Sequence, residues 1–309
     1  MNNNNNKQKV VRRIDFETSN NIALRVDKRK SKRAGSIGFK IFAYVFLTFI
    51  AFCQVFPFYL KLIDSFQAPE TIPNADILYL WPENFTLANY WTAMNVSGFW
   101  MALGYTICHT VCFTAISLFI AIIVAYTLTK LEFKGKKIVS GLLLATMMVP
   151  GEVLMIPNYI IALKMGINQN VFGLILPGIV NVFGIFLLKQ YMQTIPNSVL
   201  ESAEMDGCNE LKKIFKIIVP MSKPVIITYV ILTVVSTWNE YLWPLIMQSS
   251  GSPVQTLQLI MYKFYPGLGN YADGFVRSAG MILITIPIIT VYGVFQKYFL
   301  SQNNIAGMK

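Results

Sequence analysis

The chain has 309 residues, of which 54% are apolar and 13% charged, about half of the roughly 25% charged share of soluble domains. That balance excludes an ordinary soluble enzyme and points to a polytopic membrane protein. The formal net charge of +11 is accounted for by membrane orientation, argued below, and gives no reason to invoke nucleic acid.

In chain order, residues 1–36 are basic and Asn-rich, with too few apolar residues to fold alone. A solvated cytoplasmic tail and a tail lying on anionic lipid both fit. Apolar runs of spanning length follow at about Ile37 to Leu60, Trp100 to Leu128, Val139 to Leu163, Val171 to Leu188, Val225 to Met247 and Phe275 to Phe295. The first is too long for the core of a signal peptide and has no small-residue cleavage site, so it is expected to remain as a transmembrane helix over 37–60. The predicted fold is an all-α polytopic membrane protein with six transmembrane helices, an extracytoplasmic loop at 61–99 and a short tail at 298–309.

Charge sets the orientation. With the N-terminus in the cytoplasm, only Lys61, Lys164, Lys263 and Arg277 of the 26 basic residues fall outside. The first outer loop carries Asp64, Glu70, Asp76 and Glu83. The positive-inside rule therefore puts both termini in the cytoplasm of a multi-pass protein.

No cofactor or metal is expected. Cys53, Cys108 and Cys112 lie in spans and Cys208 faces the reducing side, so a disulfide framework is not predicted. The one histidine, His109, has no acidic residue or second histidine close in sequence and reads as a polar residue at a helix interface. The single Gly-Lys pair, Gly135-Lys136, lacks the rest of a phosphate loop. Energy for any active process must come from a partner.

The polar stretch from Gln190 to Lys223 is where a partner would dock. Ser198 and Glu201 have the spacing of a capping box, predicting a short helix from about Val199 after the Ile195-Pro196 corner. Gly207 is expected to stop it in left-handed conformation. Leu200, Ala203 and Met205 would then be exposed beside carboxylates as a plug for a groove. Beyond the turn, Leu211, Ile214, Phe215 and Ile218 recur at helical spacing, with Lys212, Lys213 and Lys216 on the other side, until Pro220. The row Glu201-Ser202-Ala203-Glu204-Met205-Asp206-Gly207, with Ile217 and Pro220 at fixed offsets, resembles the cytoplasmic coupling motif of ABC importer permeases. Glu201, Ala203, Asp206, Gly207, Ile217 and Pro220 fall on that pattern; Ser202 stands for an Ala and Val219 for a Leu.

The resemblance extends from about Trp100 to the C-terminus through Val149-Pro150-Gly151-Glu152-Val153, Phe183 to Leu188, and Trp238-Asn239-Glu240-Tyr241-Leu242-Trp243-Pro244. It is similar to the carbohydrate-uptake branch, maltose-type. This implies a type I ABC importer permease fold over 100–297, with a coupling helix at 198–207. It further implies a second homologous permease, two ABC ATPase subunits at the cytoplasmic face and an extracytoplasmic solute-binding protein, in the plasma membrane of a prokaryote. The function implied is a permease subunit importing sugars or oligosaccharides, with ATP hydrolysis on separate subunits. A permease for a non-sugar solute, or an ATP-independent channel or secondary transporter, are the alternatives.

Within the spans, ionisable and amide groups are costly unless they face a polar cavity or a partner. Glu152 and Glu240 sit about fourteen and sixteen residues above the cytoplasmic starts of their spans, or roughly 21 to 24 Å up a core about 30 Å thick if the helices are straight. Glu152, Asn158, Asn181, Trp238, Asn239, Glu240 and Tyr241 are candidates for a solute pathway. For Asn239 and Glu240, capping a broken helix near Pro244 or pairing with the second permease are equally open. Trp243 reads as an interfacial belt residue.

Overall fold

The computed structural model describes residues 37–68, 79–248, 254–264 and 271–306. The tail at 1–36 and the outer-loop acids Glu70 and Asp76 lie outside the described residues. Among the described residues the chain is nearly all helix, and the only extended pairing is one antiparallel bridge between Gln67 and Phe85. The chain divides into two units, Met1–Leu60 and Lys61–Lys309.

The first unit holds most of α1 (Ile37–Ser65), long and apolar enough to cross a membrane. Its Phe39, Tyr44, Phe49 and Phe58 are all exposed, as suits a helix that is apolar all round and surrounded by lipid.

In the second unit, the stretch expected as an outer loop contains a short helix, α2 (Ala88–Met94). Asn89 pins it by donating to the carbonyls of Ser65 (3.0 Å) and Gln67 (2.7 Å). The long α3 (Phe99–Lys130) follows, then α4 (Lys136–Thr146), α5 (Gly151–Lys164), and α6 (Val171–Ile175) with a tight turn at Leu176–Gly178. Next come α7 (Val182–Gln193), α8 (Asn197–Met205), α9 (Glu210–Lys213) and α10 (Val219–Met221), the last two joined by a π turn at Ile214–Ile218. The chain ends with α11 (Lys223–Asn239), α12 (Leu242–Met247), α13 (Leu257–Phe264) and α14 (Tyr271–Ala306). Since α14 reaches Ala306, much of the expected tail at 298–309 continues the last helix.

The centre of this unit is α3. Its buried stripe is small or polar, with Ala102, Thr106, Thr110, Thr114, Ser117, Ala121 and Ala125 three or four residues apart, so neighbouring helices approach closely. Against it pack α7 and α11. Gly184 of α7 lies under the ring of Tyr229 of α11: a Cβ there would stand 1.9 Å from a ring carbon. The Tyr229 hydroxyl shares a 2.5 Å hydrogen bond with Ser117. Tyr126, Leu188, Met192, Leu200, Ile214 and Ile218 continue this core toward the end of α3 that carries Lys130.

Three helices, Ile37–Ser65, Phe99–Lys130 and Gly274–Phe295, are long and apolar enough to span alone. The other three expected spans are not straight rods. Lys136–Thr146 and Gly151–Lys164 meet at 99°, Val171–Gly178 and Val182–Gln193 at 48°, and Glu210–Met221 and Lys223–Asn239 at 81°. Pro150, the cap residue of α5, and Pro224, in the first turn of α11, interrupt the backbone ladder at two of these bends. At the third, Asn181 caps α7. The 99° bend removes the straight-helix depth assigned to Glu152, because the rise before it is not along the same axis. The expected run from Val225 to Met247 is also broken, since α11 ends at Asn239 and α12 starts at Leu242.

Candidate functional site

Two places carry the predicted residues: the elbow after α8 and a cavity between α5, α7 and α11.

At the elbow, Gly207 has φ +76°. Its N–H donates to Glu204 O (2.9 Å) and that of Cys208 to Ala203 O (3.0 Å), the paired closure of a Schellman motif that satisfies the last carbonyls of α8. Asn209 then caps α9, its Oδ1 accepting from Lys212 N at 2.9 Å. The start of α8 differs from the capping-box expectation. Its cap position is Pro196, with no side-chain capping bond, and Ser198 lies inside the helix. The helix begins at Asn197 because the proline fixes the corner and Lys130 of α3 clamps it, donating to Ile195 O (2.6 Å) and Asn197 Oδ1 (2.9 Å).

The exposed face also differs. Leu200 and Ala203 are buried against this chain's own core, while Met205 is 89% exposed and Glu201, Glu204 and Asp206 stand open around it. On the far side of the elbow, Ile214 and Ile218 are buried and Lys212 and Lys216 exposed, as the helical spacing predicts, whereas Leu211 and Phe215 are exposed and Lys213 is buried, against it. Lys213 is drawn in by two carboxylates, Glu204 Oε2 at 3.0 Å and Glu210 Oε1 at 2.8 Å. Glu210 Oε2 in turn accepts from the Tyr126 hydroxyl of α3 at 2.5 Å. The Lys213 ammonium and the Tyr126 hydroxyl hold the Glu210 carboxyl below its ordinary range. Glu210, then Glu204, push the Lys213 ammonium up. Ile217 packs against the core and Pro220 is exposed. The helix does not stop at Pro220 but passes through it to Met221 after the widened turn at Ile214–Ile218. This fits a residue with no N–H to give to the ladder.

The cavity encloses about 590 Å³. Glu152, Asn158, Asn181 and Glu240 line it, together with Phe113, Phe183, Tyr229, Thr233, Ser236, Thr237 and Trp243. Glu152 stands in the first turn of α5, where a helix N-terminus favours a carboxylate. Asn181 Oδ1 accepts from Gly184 N at 2.9 Å, which leaves its NH2 as the polar group for the cavity. Glu240 sits at the break between α11 and α12. Among the described residues the wall offers hydroxyls, amides, carboxylates and aromatic faces, and no Lys or Arg.

Three predicted pathway residues are not on that wall. Trp238 is buried, packs with Phe99 and Ala102, and donates its ring N–H to Ile284 O of α14 (3.2 Å). Asn239 donates to Val235 O within its own helix, and the Tyr241 ring lies 5.3 Å from that of Tyr262. Trp243, expected in an interfacial belt, is instead buried on the cavity wall with its N–H on Gly173 O (3.1 Å). His109 is buried, hydrogen-bonded to the Leu174 backbone and edge-on to Phe113. Sequence reasoning missed Tyr126, Lys130 and Thr233. The polar residues of α11 at Thr233, Ser236 and Thr237 recur at helical spacing, a readable sign of a wet face.

Residues 117–302 match the family described as binding-protein-dependent transport system inner membrane component. The chain is 30% identical over 263 residues to the arabinooligosaccharides transport system permease protein AraQ of Halalkalibacterium halodurans, covering 84% of this chain and 93% of that one. It is 29% identical over 283 residues to the polygalacturonan/rhamnogalacturonan transport system permease protein YtcP of Bacillus subtilis, covering 88% and 98%. Among solved structures, a bacterial ABC transporter involved in the import of the acidic polysaccharide alginate superposes with TM-score 0.77 at 27% identity, over 84% of this chain and 96% of that one.

Proposed function

This chain belongs to the family of binding-protein-dependent transport system inner membrane components, and we propose that it forms half of the translocation pathway of an ATP-driven importer of sugars or oligosaccharides. The observation that carries the reading is the elbow: a short helix closed by Gly207 in left-handed conformation, presenting Met205 among open carboxylates in a chain without an ATP-binding motif. We assign Glu201, Ala203, Asp206 and Gly207 to coupling, with Ile217 and Pro220 setting the helix that follows. Energy then comes from two ABC ATPase subunits at the cytoplasmic face, and no hydrolysis occurs on this chain. A second homologous permease completes the pathway, and an extracytoplasmic binding protein delivers the solute.

The three straight helices, the first two bent pairs and α11 make six spans, with both termini in the cytoplasm of a prokaryotic cell and the chain in its plasma membrane. The sugar class is supported by the transported compounds named for the two permease relatives and for the alginate importer. The cavity suits it, since hydroxyl-binding groups and flat aromatic faces lie together on one wall. Glu152, Asn158, Asn181 and Glu240, joined by Trp243, are the pathway residues we propose. Trp238, Asn239 and Tyr241, also expected on the pathway, do not line this cavity.

The test is reconstitution in liposomes with the ATPase and binding protein. Uptake of a labelled oligosaccharide that requires ATP on the ATPase side supports the reading. Uptake indifferent to ATP overturns it in favour of a channel or secondary transporter. A binding protein that responds in thermal shift only to peptides or phosphate overturns the sugar assignment alone.

A further inference from the structure

The coupling helix α8 is held at both ends by a single turn of α3. Lys130 Nζ grips its start at Ile195 O and Asn197 Oδ1. Four residues earlier, the Tyr126 hydroxyl grips the far side of the elbow at Glu210, and Lys213 carries that grip back to Glu204 on α8 itself. Adhesion does not need these bonds, because Leu200, Ile214 and Ile218 already bury α8 and the chain after it against α3 and α7. What directed polar bonds add is register: an apolar contact slides, whereas a hydrogen bond to a charged group fixes position and direction. Nine residues along α3 from Tyr126, about 13.5 Å of rigid helix, Ser117 holds the hydroxyl of Tyr229. That tyrosine lines the cavity and covers Gly184 of α7.

We propose that Tyr126 and Lys130 are positioning residues that make α8 and α3 move as one body, so that displacement of the coupling helix is delivered to the cavity wall. The proposal rests on the reading of the chain as an ATP-driven permease. Without the two grips, α8 follows its ATPase partner while the apolar contact slips.

The experiment uses the full complex in liposomes, with ATP and orthovanadate as the probe. A Cys replaces Ser236, which lines the cavity, in a background with the four native cysteines changed to Ser. The rate of its modification by an impermeant methanethiosulfonate is measured with and without trapping. In the otherwise unaltered chain, trapping changes that rate. In Tyr126→Phe and in Lys130→Met the change shrinks about tenfold, the scale of one lost hydrogen bond to a charged or tightly bound partner. Trapped nucleotide and assembled complex stay the same, and Lys130→Arg retains the response. A full response in both variants overturns the proposal, as does a loss that merely follows loss of assembled complex. Absence of any response in the unaltered complex overturns the permease reading as well, so the two failures are distinguishable.

Discussion

Replacing Gly207 by Val tests the elbow at its narrowest point. No atom lies within 4 Å of the position a Cβ would take, so within this chain the substitution meets no clash and acts through the backbone. Keeping φ at +76° costs an L-residue about 1–2 kcal/mol, and β-branching makes that region still less accessible. Leaving it forfeits the two closing bonds, Gly207 N to Glu204 O and Cys208 N to Ala203 O, together about 1–3 kcal/mol. The 1–2 kcal/mol of the first route makes the formed elbow about 5–30-fold less populated. Switching a two-state transporter from 1:99 to 99:1 needs roughly 5.5 kcal/mol in all, so this loss at one dock should depress coupled transport several-fold or more. In liposomes with the ATPase and binding protein, Gly207→Val is expected to insert and assemble, with solute-stimulated hydrolysis and uptake both strongly reduced. Gly207→Asn, which tolerates left-handed backbone, should retain most of both. Normal activity for Gly207→Val, or equal damage from Asn and Val, would refute the conformational argument.

Topology is checked by labelling in the Cys-free background: Ser198→Cys should react with impermeant maleimide only in opened cells, and Glu83→Cys in intact ones. Glu152→Gln and Glu240→Gln should each lower uptake and alter which sugars stimulate hydrolysis, with the complex still assembled; unchanged kinetics in both would leave the two carboxylates structural. Gly184→Ala forces a Cβ into the Tyr229 ring and should cost about 1–3 kcal/mol of stability, read as a lower unfolding midpoint in detergent. Combining it with Tyr229→Leu should be markedly less than additive. The Glu210–Lys213 pair predicts a flat pH response across the neutral range. The lowered carboxyl contributes stability above its ordinary 4.5, lost as pH falls through its folded value, and the raised ammonium contributes below its ordinary 10.5, lost as pH rises through its folded value. The hydrogen-exchange protection factor at residues 204–213, taken relative to the base-catalysed intrinsic rate at each pH, should therefore fall only in acid or strong alkali, and Glu210→Gln should remove the acid limb.

What the sequence revealed is what depends on near neighbours. Gly207 was legible because a Schellman closure involves only residues 203–208, and the apolar runs were legible because hydropathy sums locally. The start of α8 was not, because its Asn197 is occupied by a lysine on α3, and no capping rule counts a partner 67 residues away. The inward turn of Lys213 escaped for the same reason. Its i,i+3 pairing with Glu210 could be read, but not the buried place made for it by Glu204 and Tyr126. Trp238 and Trp243 both depart from their expected places because the ring N–H of each is bound to a carbonyl 46 or 70 residues distant. The bends lay in plain view at Pro150 and Pro224, but proline marks where a helix breaks and not the angle at which it resumes.

The breaks also bear on how a cavity this polar survives inside a membrane. Irregular backbone at membrane depth is tolerated only where it is buried in protein or lines water. Glu152 belongs to the helix that begins at the 99° bend, Asn181 caps the helix after the 48° bend, and Glu240 occupies the gap between α11 and α12. Each break thus presents a polar side chain to the same cavity, where solvation offsets a cost that lipid would impose in full. Of the helices that meet here, α3 has no break between Phe99 and Lys130, and it carries both the Lys130 grip on the start of α8 and the Ser117 bond to Tyr229. On the proposed reading, a rigid rod beside three jointed spans lets movement at the α8 end reach the cavity without being absorbed on the way, because the joints, and not the rod, supply the give.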